Sequence, residues 1–251
     1  MKSVVIIPAR YQSTRFAGKP LAKICGTPMI QWVYENSKKA EKISHVAVAT
    51  DDHRIAKAVR AFGGKVIMTS DQHRSGTDRV AEAAEKMGLS SKDIVVNVQG
   101  DQPLIDPRCL DEVVRPFNDD PDIGMSTLAF KIVRKEEITN PKHVKVTFDR
   151  NGFALYFSRS PIPFGRDCPA DSQTYKHIGV YAYTRQYLDI FRNLPEGRLE
   201  QIEKLEQLRA LEYGHKIKVM LTEFDSHEVD LIEDIERIEQ ILNCQVSGTI
   251  P

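Results

Sequence analysis

Short runs of β-branched residues alternate with stretches of helical period through the first hundred residues, and this alternation restricts the chain more than any other feature. Val4–Ile7, Val46–Thr50, Lys65–Met68 and Ile94–Val98 are brief and largely apolar, as strands buried on both faces must be. Between them lie Met29–Ala40, His53–Phe62 and Thr77–Met87, the last placing Val80, Ala83, Ala84 and Met87 on one face. Such an order implies parallel strands joined by right-handed crossovers, hence an α/β fold: a three-layer sandwich around a mostly parallel, Rossmann-like sheet. From about Gly124 the rhythm changes. Met125–Phe130, Val144–Phe148, Phe153–Phe157, Gly179–Tyr183 and Ile217–Leu221 read as strands with less helix between them, so the sheet becomes mixed. Two helices, roughly Leu199–Tyr213 and Leu231–Leu242, are expected around the last strand. No repeat or linker interrupts the pattern, which predicts a single domain over 1–251.

A chain of 251 residues buries roughly three quarters of its unfolded surface and needs no covalent staples. Lys+Arg and Asp+Glu both number 35, a net charge of zero, which removes the electrostatic footprint of a general nucleic-acid binder. No apolar run approaches the roughly 20 residues that span a bilayer, so no membrane insertion is expected. Val4–Ile7 is too short for a signal-peptide core, which predicts a mature cytoplasmic start. Cys25, Cys109, Cys168 and Cys244 lie far apart with no CxxC pair, against the common zinc and redox motifs.

Three stretches carry the chemistry. Pro8–Leu21 follows the first strand, at the sheet edge where open α/β proteins bind ligands. It holds Arg10, Arg15 and Lys19, the hydroxyls of Ser13 and Thr14, and Gly18, with no acid among them. Such a loop suits a polyphosphate, held by charge-assisted bonds and free backbone N–H groups. It is neither a Walker A loop, since Ser13 stands where the first glycine belongs and Pro20 at the Ser/Thr position, nor a GxGxxG fingerprint. Asn97–Ile105 places Asp101 just beyond a buried strand, after Gly100. A carboxylate facing a cationic phosphate loop suits Mg²⁺, which takes one or two carboxylates and shares phosphate oxygens. The third stretch, Thr69–Arg79, offers Ser75 or Thr77 as a helix cap. Arg79 sits at the unfavourable end of that helix dipole, which capping does not explain.

Together these segments resemble the CTP:3-deoxy-manno-octulosonate (KDO) cytidylyltransferases. The likeness rests on Pro8–Leu21, Met68–Arg79, Asn97–Ile105, Ala154–Ile162, His177–Tyr183 and Leu205–Gly214, in order and nearly end to end. The resemblance implies a nucleotide-diphospho-sugar transferase type of fold, a homodimer, Mg²⁺ dependence, and synthesis of CMP-KDO from CTP and KDO for lipopolysaccharide. It implies a nucleotide-binding half over 1–123 and a sugar-acid and dimerisation half over 124–251. By resemblance, Arg10 and Lys19 bind the triphosphate, with Ser13 and Arg15 in the same loop. Ser75, Gly76 and Gln99 lie near the nucleotide, and Asp101 is a magnesium ligand. Arg79, Arg159, His177, Tyr181, Glu206 and Gln207 form the sugar-acid pocket. His177 and Tyr181, four residues apart, would share a strand face. Asp230 matches the second metal aspartate, with Asp234 as the alternative. Leu231 and Ile232 replace the Thr-Pro that follows that aspartate in the family, which loosens entry to the last helix. Ala17 replaces a proline and raises the ordering cost of the loop. The rest of the acidic run from Glu223 to Glu239 reads as a solvated helix face. Other readings are an enzyme for the 8-amino analogue of KDO, a CMP-sialate synthetase sharing Pro8-Ala9-Arg10, or a non-catalytic sugar-nucleotide sensor.

Overall fold

Val4 and Ile6 point to one side of the first strand and Val5 and Ile7 to the other, and all four are buried. A strand covered on both faces needs a helical layer on each side. The computed structural model, which describes residues 1–12, 16–167 and 173–246, supplies both. In chain order its elements are β1 (Ser3–Pro8), β2 (Lys23–Ile24), β3 (Thr27–Pro28), α1 (Met29–Lys38), β4 (His45–Thr50), α2 (His53–Ala61), β5 (Val66–Met68), α3 (Gly76–Lys86), β6 (Ile94–Val98), α4 (Pro107–Val114) and α5 (Pro116–Asp119). They continue with β7 (Met125–Lys131), α6 (Glu136–Thr139), β8 (Lys145–Phe148), β9 (Ala154–Ser158), β10 (Tyr175–Thr184), α7 (Arg185–Asn193), α8 (Arg198–Glu203), α9 (Leu208–Glu212), β11 (Lys218–Thr222) and α10 (Glu233–Val246).

The main sheet runs β11-β7-β10-β6-β1-β4-β5, with β8 pairing β10 and β9 pairing β8. β1 lies parallel to β4 and β6, β4 to β5, and β7 to β11, while β10 runs antiparallel to β6, β7 and β8. β10 therefore welds the two halves of the chain into one sheet. Ile30 and Val33 of α1, Ile55 and Val59 of α2, and Leu110 and Val113 of α4 cover one face with Val5 and Ile7. Val80, Ala83 and Ala84 of α3, Leu188 and Phe191 of α7, and Leu208 of α9 cover the other with Val4 and Ile6. At about 1.5–3 kcal/mol for each large apolar side chain buried, these two layers are the main stabilising term.

Three differences from the sequence reading have clear causes. The helix expected over Leu199–Tyr213 is two, because Lys204 adopts a left-handed conformation (φ 54°, ψ 47°) that ends α8. α4 and α7 escape a sequence reading centred on strands, although Asp106 and Thr184 cap them through their side chains. The last helix starts at Glu233, so Leu231 and Ile232 lie outside it.

Candidate active site

The loop after β1 turns back on itself through a bond from the Gly18 N–H to the Tyr11 carbonyl, 2.8 Å. Gly18 has φ +73°, and a Cβ there would sit 3.2 Å from the Tyr11 ring, so both backbone and space call for glycine. Lys19 then opens a single 3₁₀ turn with Pro20. On the neighbouring strand, β6 ends at Val98 and is followed by Gly100, where a Cβ would lie 3.2 Å from the Pro8 carbonyl oxygen. This close approach brings the two loops together. Lys19 Nζ lies 2.6 Å from Asp101 Oδ2 and 4.0 Å from Asp230 Oδ1. A cavity of about 850 Å³ opens above them, lined in part by Arg10, Gln12, Lys19, Gln99, Asp101 and Asp230. Ser13 and Arg15 lie outside the described residues.

Beside this cavity stands the N-terminus of α3. Ser75 Oγ accepts from the Asp78 N–H (3.1 Å) and Asp78 Oδ2 accepts from the Ser75 N–H (3.3 Å), a reciprocal capping box. A smaller cavity is lined by Arg10, His73, Ser75, Gly76, Arg79 and Gln99. Arg79 therefore shares a cavity with Arg10, Ser75, Gly76 and Gln99. Its guanidinium is buried, with Nη2 2.9 Å from Asp51 Oδ1 and Nη1 donating to Thr69 Oγ1 at 2.5 Å. Burial pulls its pKa down. The Asp51 ion pair accounts for an arginine at this end of the helix.

β10 carries His177 and Tyr181, with ring centroids 5.2 Å apart; Phe157 packs edge-on to His177 at 5.2 Å. Burial drives the His177 imidazole down to about 3, so it is neutral near pH 7. His177 Nε2 and Thr127 Oγ1 are 2.9 Å apart. Glu206 Oε2 accepts from Thr77 Oγ1 at 2.5 Å, and burial raises the Glu206 carboxyl. Glu206 Oε1 and the Nε2 of buried Gln207 have no hydrogen-bond partner, an arrangement that fits a polar ligand. Arg159 makes backbone contacts of its own. Its guanidinium donates to the main-chain carbonyls of Glu203 (2.8 Å), Pro141 (3.0 Å) and Lys204 (3.5 Å), holding the turn between α8 and α9.

The acidic run before α10 is not a solvated helix face throughout. Glu228 accepts from Gln102 Nε2 at 3.2 Å, and the Val229 N–H donates to the Asp101 carbonyl at 3.0 Å. Burial, then the charges of Asp101 and Asp230, push the Glu228 carboxyl up to about 7. Glu228 is not among the site residues expected from the sequence; its signal is an acid directly beside Val229, a fully buried apolar residue. Asp234 accepts from the Asp230 and Leu231 N–H groups at 2.8 and 2.9 Å and ties this segment to the start of α10, while Asp230 is the acid that lines the large cavity.

The donor set bears on a metal. Among the described residues, no group of three or more His, Cys, Asp or Glu side chains is disposed to hold one. Two carboxylates at the mouth of a cationic cavity instead fit a hard cation that takes its other ligands from phosphate and water. The same residues also show no helix long and apolar enough to cross a membrane.

Residues 4–217 match the family model described as Cytidylyltransferase. The chain is 62% identical over 242 residues to a 3-deoxy-manno-octulosonate cytidylyltransferase of Desulfosudis oleivorans, covering 96% of this chain and 98% of that protein. It is 57% identical over 243 residues to an 8-amino-3,8-dideoxy-manno-octulosonate cytidylyltransferase of Shewanella baltica, covering 96% and 99%. Among solved structures, a CMP:2-keto-3-deoxy-manno-octonic acid synthetase complexed with CTP superposes with a TM-score of 0.91 at 41% identity, covering 98% of this chain and 100% of that one.

Proposed function

Because the chain belongs to the cytidylyltransferase family, we infer that it activates 3-deoxy-manno-octulosonate with CTP for lipopolysaccharide synthesis. The anomeric hydroxyl of the sugar acid attacks the α-phosphorus of CTP in line. The new P–O bond forms as the bond to the leaving group breaks, giving CMP-KDO and pyrophosphate, and the hydroxyl proton passes to solvent. Catalysis of such a transfer is mostly positioning and charge stabilisation. The observation that carries this reading is Lys19 meeting Asp101 at 2.6 Å across the mouth of the large cavity.

In this reading Arg10 and Lys19 take the triphosphate, and Ser75, Gly76 and Gln99 flank the nucleotide from α3 and β6. Arg79 borders the nucleotide and orders the loop carrying Asp51. His177, Tyr181, Glu206 and Gln207 receive the sugar acid, supported by the buried Gln207 Nε2, which has no hydrogen-bond partner. A neutral His177 accepts or donates one bond to a sugar hydroxyl without adding charge. Asp101 and Asp230 would hold Mg²⁺, which when bound neutralises phosphate charge and orients the attacking oxygen. The reading extends to a homodimer, supported by the exposed apolar Leu155 and Leu221 on β9 and β11. It places the enzyme in the cytoplasm, in keeping with a nucleotide substrate and the free thiols of Cys25 and Cys109.

Pyrophosphate release is measured with CTP and Mg²⁺ against KDO, its 8-amino analogue and sialic acid, then with the other nucleoside triphosphates. KDO with CTP is expected to give the highest kcat/KM. Binding of CTP without release on any sugar acid refutes the reading and favours a sensor; a higher kcat/KM for the 8-amino analogue reassigns the substrate.

A further inference from the structure

Asp230 and Glu228 stand on a segment, residues 223–232, that is neither helix nor strand. Irregular backbone has no ladder to hold it, so its position is set by individual anchors. Near the acids these are the Val229 N–H on the Asp101 carbonyl, Glu228 on Gln102, the Asp230 and Leu231 N–H groups on Asp234, and Arg237 on the Glu228 carbonyl. Upstream the anchor is Asp225, and its partner is a buried ammonium group. Lys176 of β10 is almost inaccessible, and its Nζ lies 3.0 Å from both carboxylate oxygens of Glu137 and 2.9 Å from Asp225. Arg134 closes the cluster by pairing with Glu137 and approaching Asp225 at 3.8 Å.

Two cations and two carboxylates balance there, and each buried charge has an oppositely charged neighbour. A buried ion pair is weak evidence for stability, because desolvation offsets most of its attraction; its better-attested use is to select one arrangement among several. Here the arrangement selected joins three parts of the chain: β10, which carries His177 one residue further on, α6, and the segment leading to Asp230. We propose that Lys176 is a positioning residue for the transferase reaction, fixing Asp225 against Glu137 so that the 223–232 segment presents Asp230 to the nucleotide cavity. The proposal rests on the transferase reading above.

The test compares Lys176→Met, Lys176→Arg and Asp225→Asn with the wild type. The readouts are kcat, KM for CTP, and Mn²⁺ binding to the CTP complex followed by electron paramagnetic resonance. Lys176→Met is expected to lower kcat and Mn²⁺ affinity each by about tenfold, as loss of an outer support of a metal site does, with KM for CTP changed by less than about twofold. Lys176→Arg restores most of both. Asp225→Asn leaves Lys176 paired with Glu137 and keeps the fold, so it decides the matter should Lys176→Met not fold; it shifts both readouts in the same direction. Variants that lose thermal stability while kcat and Mn²⁺ affinity stay at wild-type values overturn the proposal and leave the cluster a purely structural one. A wild type that releases no pyrophosphate refutes instead the transferase reading.

Discussion

Replacing Glu228 by Gln should make the protein more stable at alkaline pH and erase part of its pH dependence. Glu228 keeps part of its side chain open to solvent, yet desolvation at the Gln102 contact, followed by the charges of Asp101 and Asp230, raises its carboxyl from 4.5 to about 7. Below the unfolded value the group is neutral in both states and costs nothing. As pH rises, the unfolded chain gives up its proton first, so the native state loses stability until the folded group ionises as well, near pH 7. Taken at face value the gap is about 3 kcal/mol, but solvent reaching the side chain screens it, leaving about 1 kcal/mol lost between pH 5 and pH 8. Gln fills the same volume, keeps an oxygen for the Gln102 amide and never ionises. For a domain of this size about 1 kcal/mol displaces the melting temperature by roughly 2–4 °C. Melting temperatures of wild type and Glu228→Gln are compared from pH 5 to pH 8 with EDTA present, so that no divalent cation offsets the neighbouring acids. The variant should gain on the wild type across that range. Two parallel profiles would refute the argument, showing that Glu228 titrates as an ordinary exposed acid.

Asp101→Asn keeps the shape of the Lys19 contact and removes its charge. Turnover should fall by about a hundredfold or more, while urea denaturation changes by no more than about 1 kcal/mol, the pair being partly solvated. Ser75→Ala removes the acceptor for the Asp78 N–H and should cost about 1 kcal/mol in the same urea assay. Gly124→Ala would place a Cβ 2.6 Å from Tyr187 Cδ2; calorimetry should show a loss of about 1–3 kcal/mol from overpacking. No change in either of the last two variants would remove the contact invoked for it.

Much of the fold can be read locally. The β-branched runs before each loop and the apolar face of Thr77–Met87 state which side of each element meets other side chains, and β1, β4, β6 and α3 follow within a residue or two. The Ser75 cap is equally local, since cap and capped N–H lie three residues apart. The break at Lys204 is less legible, because nothing in a lysine announces a left-handed backbone. Arg79 shows the other limit: its position on the helix dipole marked it as unusual, but its partner Asp51 belongs to a different strand-to-helix loop.

The amino-acid order alone determined the layered architecture and the chemical character of the loops, because burial period and charge content are properties of short stretches. Only the tertiary structure decided who meets whom. Lys19 and Asp101 are 82 residues apart in the chain yet 2.6 Å apart in space, because β1 and β6 are neighbours in the sheet and release their loops at the same edge. Glu228 is a member of an ordinary acidic run until the fold presses it against Gln102, with Asp101 and Asp230 close enough to act on its charge. The strength of a charge depends on its solvent and its neighbours, and both are set by contacts that no local pattern records.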